Sequence, residues 1–289
     1  MTAEVLRGNK VAKSLEPKIN DIAEKLTASG IKPTLAIIRI GNKQDDLYYQ
    51  QSAEKRCAAL GIAVEIYAYD CGITLEELTN EIINLNLDEA IHGVLIMRPL
   101  PAHIDDSAVC CALDPLKDVD GITDSSLAGV IKNEDKGFAP CTAEACIELL
   151  DYYNINVKGS RAVVVGRSLV VGKPLALMLT SLDATVTVCH TKTKNLAEVT
   201  READILVAAA GKIGLITKEH IKTGAAVIDV GVTPTGQGGF AGDADYESVI
   251  QTASAVTPVP GGVGTITSTI LALHTLKAAL RQAEKKEKK

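Results

Sequence analysis

The chain of 289 residues contains no tryptophan, and aromatic residues make up only 3% of it. Platforms that stack single-stranded nucleic acid need such rings, so their scarcity disfavours that ligand class. An excess of positive charge is also lacking. Lys and Arg number 30 against 36 Asp and Glu, a formal net charge of −6, which disfavours a binder of nucleic-acid backbone. No Cys-x-x-Cys pair occurs among the seven cysteines. With an odd, scattered set, neither a disulfide framework nor a metal site is expected, and the thiols read as reduced, mostly buried small residues of a cytoplasmic protein. The opening Met1-Thr2-Ala3-Glu4 lacks the basic and apolar regions of a signal peptide. No apolar run approaches the ~20 residues of a membrane helix, so no membrane partner is expected.

What is present is a substantial apolar fraction, 46%, in a chain long enough for two domains of ordinary size. Strand-like and helix-like segments alternate, which predicts an α/β fold. Helices are expected over residues 11–27, 44–60, 74–84, 142–153, 175–182 and 266–283, with Thr142 as the N-cap of the fourth. Strands are expected over 34–40, 63–69, 92–97, 161–165, 184–189, 205–209 and 225–230. Residues 114–137 read as loop, and 257–264 are too rich in Gly and Pro for regular structure. The charged tail 284–289 reads as frayed and solvated. The expected division is residues 1–140 plus 267–289 as one domain and 141–266 as the other.

The most informative stretch is Val165-Gly166-Arg167-Ser168-Leu169-Val170-Val171-Gly172-Lys173-Pro174. A strand, a glycine turn and a helix N-terminus form a ready anion site, and Arg167 adds a charge suited to phosphate. The spacing from Gly166 to Gly172 is not the usual G-x-G-x-x-G, and a tight connection alone would look similar. The next strand favours a dinucleotide over that plain connection. It runs into His190-Thr191-Lys192-Thr193-Lys194, without the carboxylate that holds the ribose hydroxyls of NAD. Arg167, Thr191 and Lys192 can form a pocket for a 2′-phosphate, so NADP is favoured, with NAD still tolerated. Lys194 reads as a solvated charge.

Further segments, taken in order, carry a resemblance. They are Tyr48-Tyr49, Arg98-Pro99-Leu100-Pro101, Lys117-Asp118-Val119-Asp120-Gly121, Pro140-Cys141-Thr142, Asp229-Val230-Gly231 and Thr257-Pro258-Val259-Pro260-Gly261-Gly262-Val263-Gly264. Together with the 165–174 segment they resemble the bifunctional methylenetetrahydrofolate dehydrogenase/cyclohydrolase (FolD-type) family over nearly the whole chain. The resemblance implies a homodimer of two-domain α/β subunits. It places an N-terminal folate-binding catalytic domain and a C-terminal Rossmann-type parallel-sheet domain on either side of a cleft. It implies oxidation of 5,10-methylenetetrahydrofolate with NADP, then hydrolysis of the methenyl product to 10-formyltetrahydrofolate. Tyr49 and Asp120 are the implied catalytic residues. Tyr49 would pack on the pterin, and Asp120 would accept two hydrogen bonds from its N–C–N edge. Leu100, Pro260, Gly261 and Gly262 would complete the substrate contacts. Thr142, Gly166, Arg167, Ser168, Val171, Gly172, Thr191, Lys192 and Val232 would line the cofactor site.

Two positions depart from the family pattern. The family lysine four residues after the tyrosine is Ala53 here, and the glutamine before the proline segment is Met97. The resemblance implies that this lysine and glutamine cooperate in hydrolysis, by handling protons and activating water. Lys55 stands roughly 200° around the helix from position 53 and is a poor substitute. Hydride transfer needs alignment rather than a protein acid or base, so a dehydrogenase with weak or absent cyclohydrolase activity is expected. The rival readings are a full bifunctional enzyme using Lys55 or a water network, a non-catalytic folate or NADP binder, and an unrelated Rossmann oxidoreductase. Thr265 and Ile266 also stand where the family usually has Pro-Met.

Overall fold

The computed structural model describes residues 3–287 apart from 135 and 237. The expectations for Met1, Thr2, Lys288 and Lys289 therefore lie outside the described residues. In chain order the elements are β1 (Glu4–Val5), α1 (Gly8–Ser14), α2 (Glu16–Ala28), β2 (Thr34–Ile40), α3 (Gln44–Ala59), β3 (Ala63–Tyr69), α4 (Leu75–Leu87), β4 (Gly93–Ile96), α5 (Asp106–Ala112) and α6 (Asp124–Lys132). They continue with α7 (Cys141–Tyr152), β5 (Arg161–Val165), α8 (Gly172–Ser181), β6 (Thr185–Cys189), α9 (Leu196–Thr200), β7 (Ile205–Ala208), β8 (Ala226–Asp229), β9 (Thr233–Thr235), β10 (Gly239–Ala241), α10 (Tyr246–Val249), β11 (Ala255–Val256) and α11 (Val263–Glu287). The chain divides into two compact α/β units.

One unit comprises Leu15–Cys141 and Ser268–Lys289. Its sheet has the order β3-β2-β4, with both pairings parallel. β2 is the central strand and reads as an almost unbroken buried apolar run, as a parallel strand covered on both faces must. On α3, Tyr49, Ala53 and Cys57 recur at four-residue spacing and so share one face. Lys43 precedes this helix, and Gly61, with a φ of +71°, follows it. α11 is buried nearly all round from Ile266 to Leu276, which makes it a core helix. Contrary to expectation, its Val263–Lys286 stretch is long and apolar enough to cross a membrane by length and composition alone. Most of its apolar part is buried within the protein, and core helices pass the same test.

The other unit comprises Met1–Ser14 and Thr142–Thr267. Its six strands run in the order β1-β11-β8-β7-β5-β6, all parallel. β5 has β6 on one side and β7 on the other, so the order reverses at its end. In open parallel sheets such a switch point is where ligands bind. Residues 3–14 belong to this unit rather than to the expected N-terminal domain. β1 pairs with β11 at the sheet edge, satisfying backbone groups that a free N-terminus would leave to water.

Other expectations change at element ends. The helix expected over 11–27 is two, α1 and α2, separated at Leu15, with Pro17 in the first turn of α2 where a missing N–H costs nothing. The expected loop 114–137 contains α6, which is N-capped by Thr123 and closed by Asn133 at a φ of 53°. α7 begins at Cys141, so Thr142 is its second residue and not its cap. α8 starts at Gly172 and α11 at Val263, both earlier than expected. The charged tail stays helical to Glu287. Among the cysteines, Cys57, Cys141, Cys146 and Cys189 are buried, whereas Cys71 and Cys111 are exposed, and among the described residues none forms a disulfide.

Candidate functional site

In the unit of residues 15–141 and 268–289, Tyr49 and Asp120 come together. Both keep part of their surface accessible, yet enough protein surrounds them to shift both protons. Burial and the neighbouring Asp120 carboxylate raise the Tyr49 phenol well above its ordinary range. Burial likewise raises the Asp120 carboxyl to about 6, against the pull of a hydrogen bond from the Cys141 thiol. No lysine or arginine is hydrogen-bonded to Asp120 among the described contacts, so a cationic or amidine-like ligand edge would meet a carboxylate in need of one.

The turn that presents Asp120 is built by its neighbours. Asp118 is fully buried and accepts from the Ile122 N–H at 3.0 Å, the Thr123 N–H at 2.8 Å and Ser126 Oγ at 2.7 Å. Lys117 Nζ donates to the carbonyls of Leu85 at 2.7 Å and Asp88 at 2.6 Å. Gly121 has a φ of +70°, and a Cβ there would lie 2.5 Å from the Pro140 nitrogen. Only glycine suits both demands. The Val119 carbonyl accepts from Cys141 Sγ at 3.2 Å and from His274 Nδ1 at 2.9 Å. Cys141 was legible as part of a motif. His274 was not, because a lone histidine in an apolar helix gives no signal of what it faces.

Ala53 is completely buried and Met97 is 5% exposed. Neither can move a proton. Lys55 is exposed, as its place two positions along the helix requires. Arg98 ion-pairs with Asp106 and donates to Cys110 Sγ at 3.5 Å, and Leu100 is partly exposed.

In the other unit, Gly166 follows β5 at the switch point. Its φ is +140°, its N–H donates to the Cys189 carbonyl at 2.9 Å, and a Cβ would overlap the Ala209 carbonyl. Gly172 likewise approaches the Gly166 carbonyl too closely for a side chain. Ser168 Oγ accepts from the Val171 N–H at 3.2 Å, which shapes the loop into α8. Arg167, Ser168, Thr191 and Lys192 are exposed beyond the adjacent ends of β5 and β6. The His190 turn is fixed by its own bonds: Thr193 Oγ accepts from the His190 N–H at 2.9 Å, and His190 Nδ1 accepts from the Lys192 N–H at 3.1 Å. Val232 is 41% exposed. It follows Asp229, a buried carboxylate that accepts from the N–H groups of Gly231, Asp243 and Ala244 at 2.8–3.0 Å. Pro260 and Gly261 are exposed and Gly262 is buried. The Gly261 carbonyl accepts from the Gly8 N–H at 2.9 Å, and a side chain on Gly8 would strike the Gly262 carbonyl. Leu100, Tyr49 and Asp120 thus belong to one unit, and the glycine loop 260–262 to the other.

A parallel sheet with a glycine turn and exposed basic residues at its switch point, in a chain whose other unit holds a half-buried carboxylate and tyrosine, defines a dinucleotide-binding α/β enzyme. Residues 6–120 match the tetrahydrofolate dehydrogenase/cyclohydrolase catalytic domain, and residues 140–283 match its NAD(P)-binding domain. The bifunctional protein FolD of Carboxydothermus hydrogenoformans is 44% identical over 278 residues, covering 96% of this chain and 97% of its own. Among solved structures, the bifunctional FolD enzyme of Campylobacter jejuni aligns with a TM-score of 0.92 at 36% identity, over 97% of this chain and 99% of that one. The Trypanosoma brucei dehydrogenase-cyclohydrolase, solved with NADP and an inhibitor, aligns at 0.91 and 35%, over 98% and 99%. The chain belongs to the tetrahydrofolate dehydrogenase/cyclohydrolase family.

Proposed function

We propose that this chain oxidises 5,10-methylenetetrahydrofolate to the methenyl form by hydride transfer to NADP, and that it has lost most or all of the second, hydrolytic reaction. The observation that carries the second half is the complete burial of Ala53 where the family has its lysine, together with the buried aliphatic Met97 where it has its glutamine. Exposed Lys55 offers no replacement.

Tyr49 packs on the pterin, and Asp120 accepts from its N–C–N edge, so the folate is held by one aromatic face and one carboxylate. Leu100, in the same unit as Tyr49 and Asp120, adds an apolar contact. The residues present fit a dinucleotide: the cradle at Gly166 has no room for a Cβ, and a pyrophosphate needs such close backbone approach. Arg167, with Thr191 and Lys192, takes the 2′-phosphate, while Thr142, Ser168, Val171, Gly172 and Val232 line the rest. When bound, NADP accepts the hydride. The folate nitrogen lone pair supports the cation left on the one-carbon unit, so this chain contributes alignment rather than proton transfer. The chain acts as a homodimer in the cytoplasm.

Purified protein given methylenetetrahydrofolate and NADP should form the methenyl product, which then decays at its uncatalysed rate. Enzyme-dependent loss of methenyl absorbance overturns the loss of hydrolysis. Equal or better turnover with NAD overturns the cofactor assignment.

A further inference from the structure

We propose that His274 is a positioning residue for Asp120. Its Nδ1–H holds the Val119 carbonyl and thereby fixes the direction in which the next residue presents its carboxylate to substrate. The inference rests on the folate reading of Asp120 above.

A carbonyl oxygen can only accept, so the 2.9 Å contact places the proton on Nδ1 of the imidazole. His274 is 1% exposed, on a stretch of α11 that is otherwise apolar and hydroxylic. Its ring is itself held. It packs on Phe138 with centroids 4.7 Å apart, and the Arg281 guanidinium covers the Phe138 ring at 4.5 Å. Arg281 is anchored in turn by donating to the Gly137 carbonyl at 2.9 Å.

The effect falls on residue 119. Its side chain is fully buried against Gly93, where a Cβ would come within 2.7 Å of Val119 Cγ1. Its carbonyl also receives the Cys141 thiol at 3.2 Å, and Cys141 Sγ lies 3.6 Å from His274 Nδ1. Gly121, on the far side, is pressed on residues 138–140. Asp120 therefore sits between two pinned neighbours, and the Val119 carbonyl is held by the His274 imidazole and, more weakly, by the Cys141 thiol. Without the imidazole donor only the thiol restrains that carbonyl, and the Asp120 carboxylate gains freedom to turn with it.

The test uses the full chain, with KM for methylenetetrahydrofolate and for NADP, kcat and Tm measured together. His274→Ala should raise the folate KM roughly ten-fold, the size of one lost buried hydrogen bond, and leave the NADP KM within about two-fold. His274→Asn places an amide N–H where Nδ1 was and should restore the folate KM. His274→Gln reaches one methylene too far and should not. An unchanged folate KM in the alanine variant, or equal behaviour of the Asn and Gln variants, overturns the proposal. If the alanine variant does not fold, the Asn–Gln comparison decides alone. Asp120→Asn separates the two readings: an unchanged folate KM there sinks the folate role of Asp120, whereas a raised one beside an inert position 274 sinks only the positioning role.

Discussion

Ala53 and Lys55 stand two residues apart on α3, the alanine completely buried and the lysine exposed. Two residues turn an α-helix by roughly 200°. Tyr49 lies one turn before Ala53, on Ala53's side. The ammonium nearest in sequence to position 53 is therefore carried away from the tyrosine that faces Asp120.

Restoring the missing pair should restore chemistry at some cost to the fold. Ala53→Lys alone puts an ammonium into a fully buried position and should lower stability by about 1–3 kcal/mol, read as a lower Tm. Ala53→Lys combined with Met97→Gln restores both groups that the family resemblance implies act together in hydrolysis. The double variant should consume the methenyl product at least ~10²-fold faster than the parent, the lower end of general acid–base assistance. A folded double variant with intact dehydrogenase activity and no gain in hydrolysis would mean that these positions do not limit the second reaction.

Acid should weaken folate binding. The Asp120 carboxyl is raised to about 6, first by burial. Above that pH it is charged and can accept two hydrogen bonds. Below it the protonated group has one fewer acceptor site and no charge. The folate KM at saturating NADP should be flat near pH 7–8 and climb below about pH 6, by up to about ten-fold per pH unit. The stability effect has the opposite sense. A carboxyl raised on folding binds its proton more tightly in the native state, so its contribution is best in acid and is lost as pH rises through about 6. Asp120→Asn should accordingly gain Tm relative to the parent at pH 8 and less at pH 5. A folate KM that is level from pH 5 to 8 would contradict the assignment of Asp120.

The two close-approach glycines should fail differently. Gly166→Ala meets the Ala209 carbonyl at a φ of +140° and should raise the NADP KM by at least roughly ten-fold, with the folate KM far less affected. Gly121→Ala meets the backbone of residues 138–140 at a φ of +70° and should act on the folate side, with a stability loss of about 1–3 kcal/mol. Dehydrogenase kinetics with each substrate varied in turn, alongside thermal melts, will show whether the two effects stay in their separate units.

Much of this arrangement was legible in the order of residues. β2, β3 and β5 follow from β-branched runs bounded by Gly and Pro. Position 166 followed from a strand running into a glycine and then a helix. The exposure of Lys55 and the shared face of Tyr49 and Ala53 followed from helical periodicity alone, since both are local geometry; the burial of Ala53 came with the fold. α6 was missed because its signals, a Thr123 cap and an Asn133 stop, are individually common in loops. The break at Leu15 was missed because Pro17 can sit inside a first turn as easily as it can end a helix.

Local order therefore determined the strands, the turn at Gly166 and the face on which Tyr49 and Ala53 lie, because each depends on residues only a few positions apart. The pairing of β1 with β11 joins residues 4 and 255. The bond from His274 to the Val119 carbonyl spans 155 positions. The raised carboxyl of Asp120 comes from protein gathered around it from distant parts of the chain. These three were decided only on folding, because burial and long-range hydrogen bonding do not exist until the segments that create them have met.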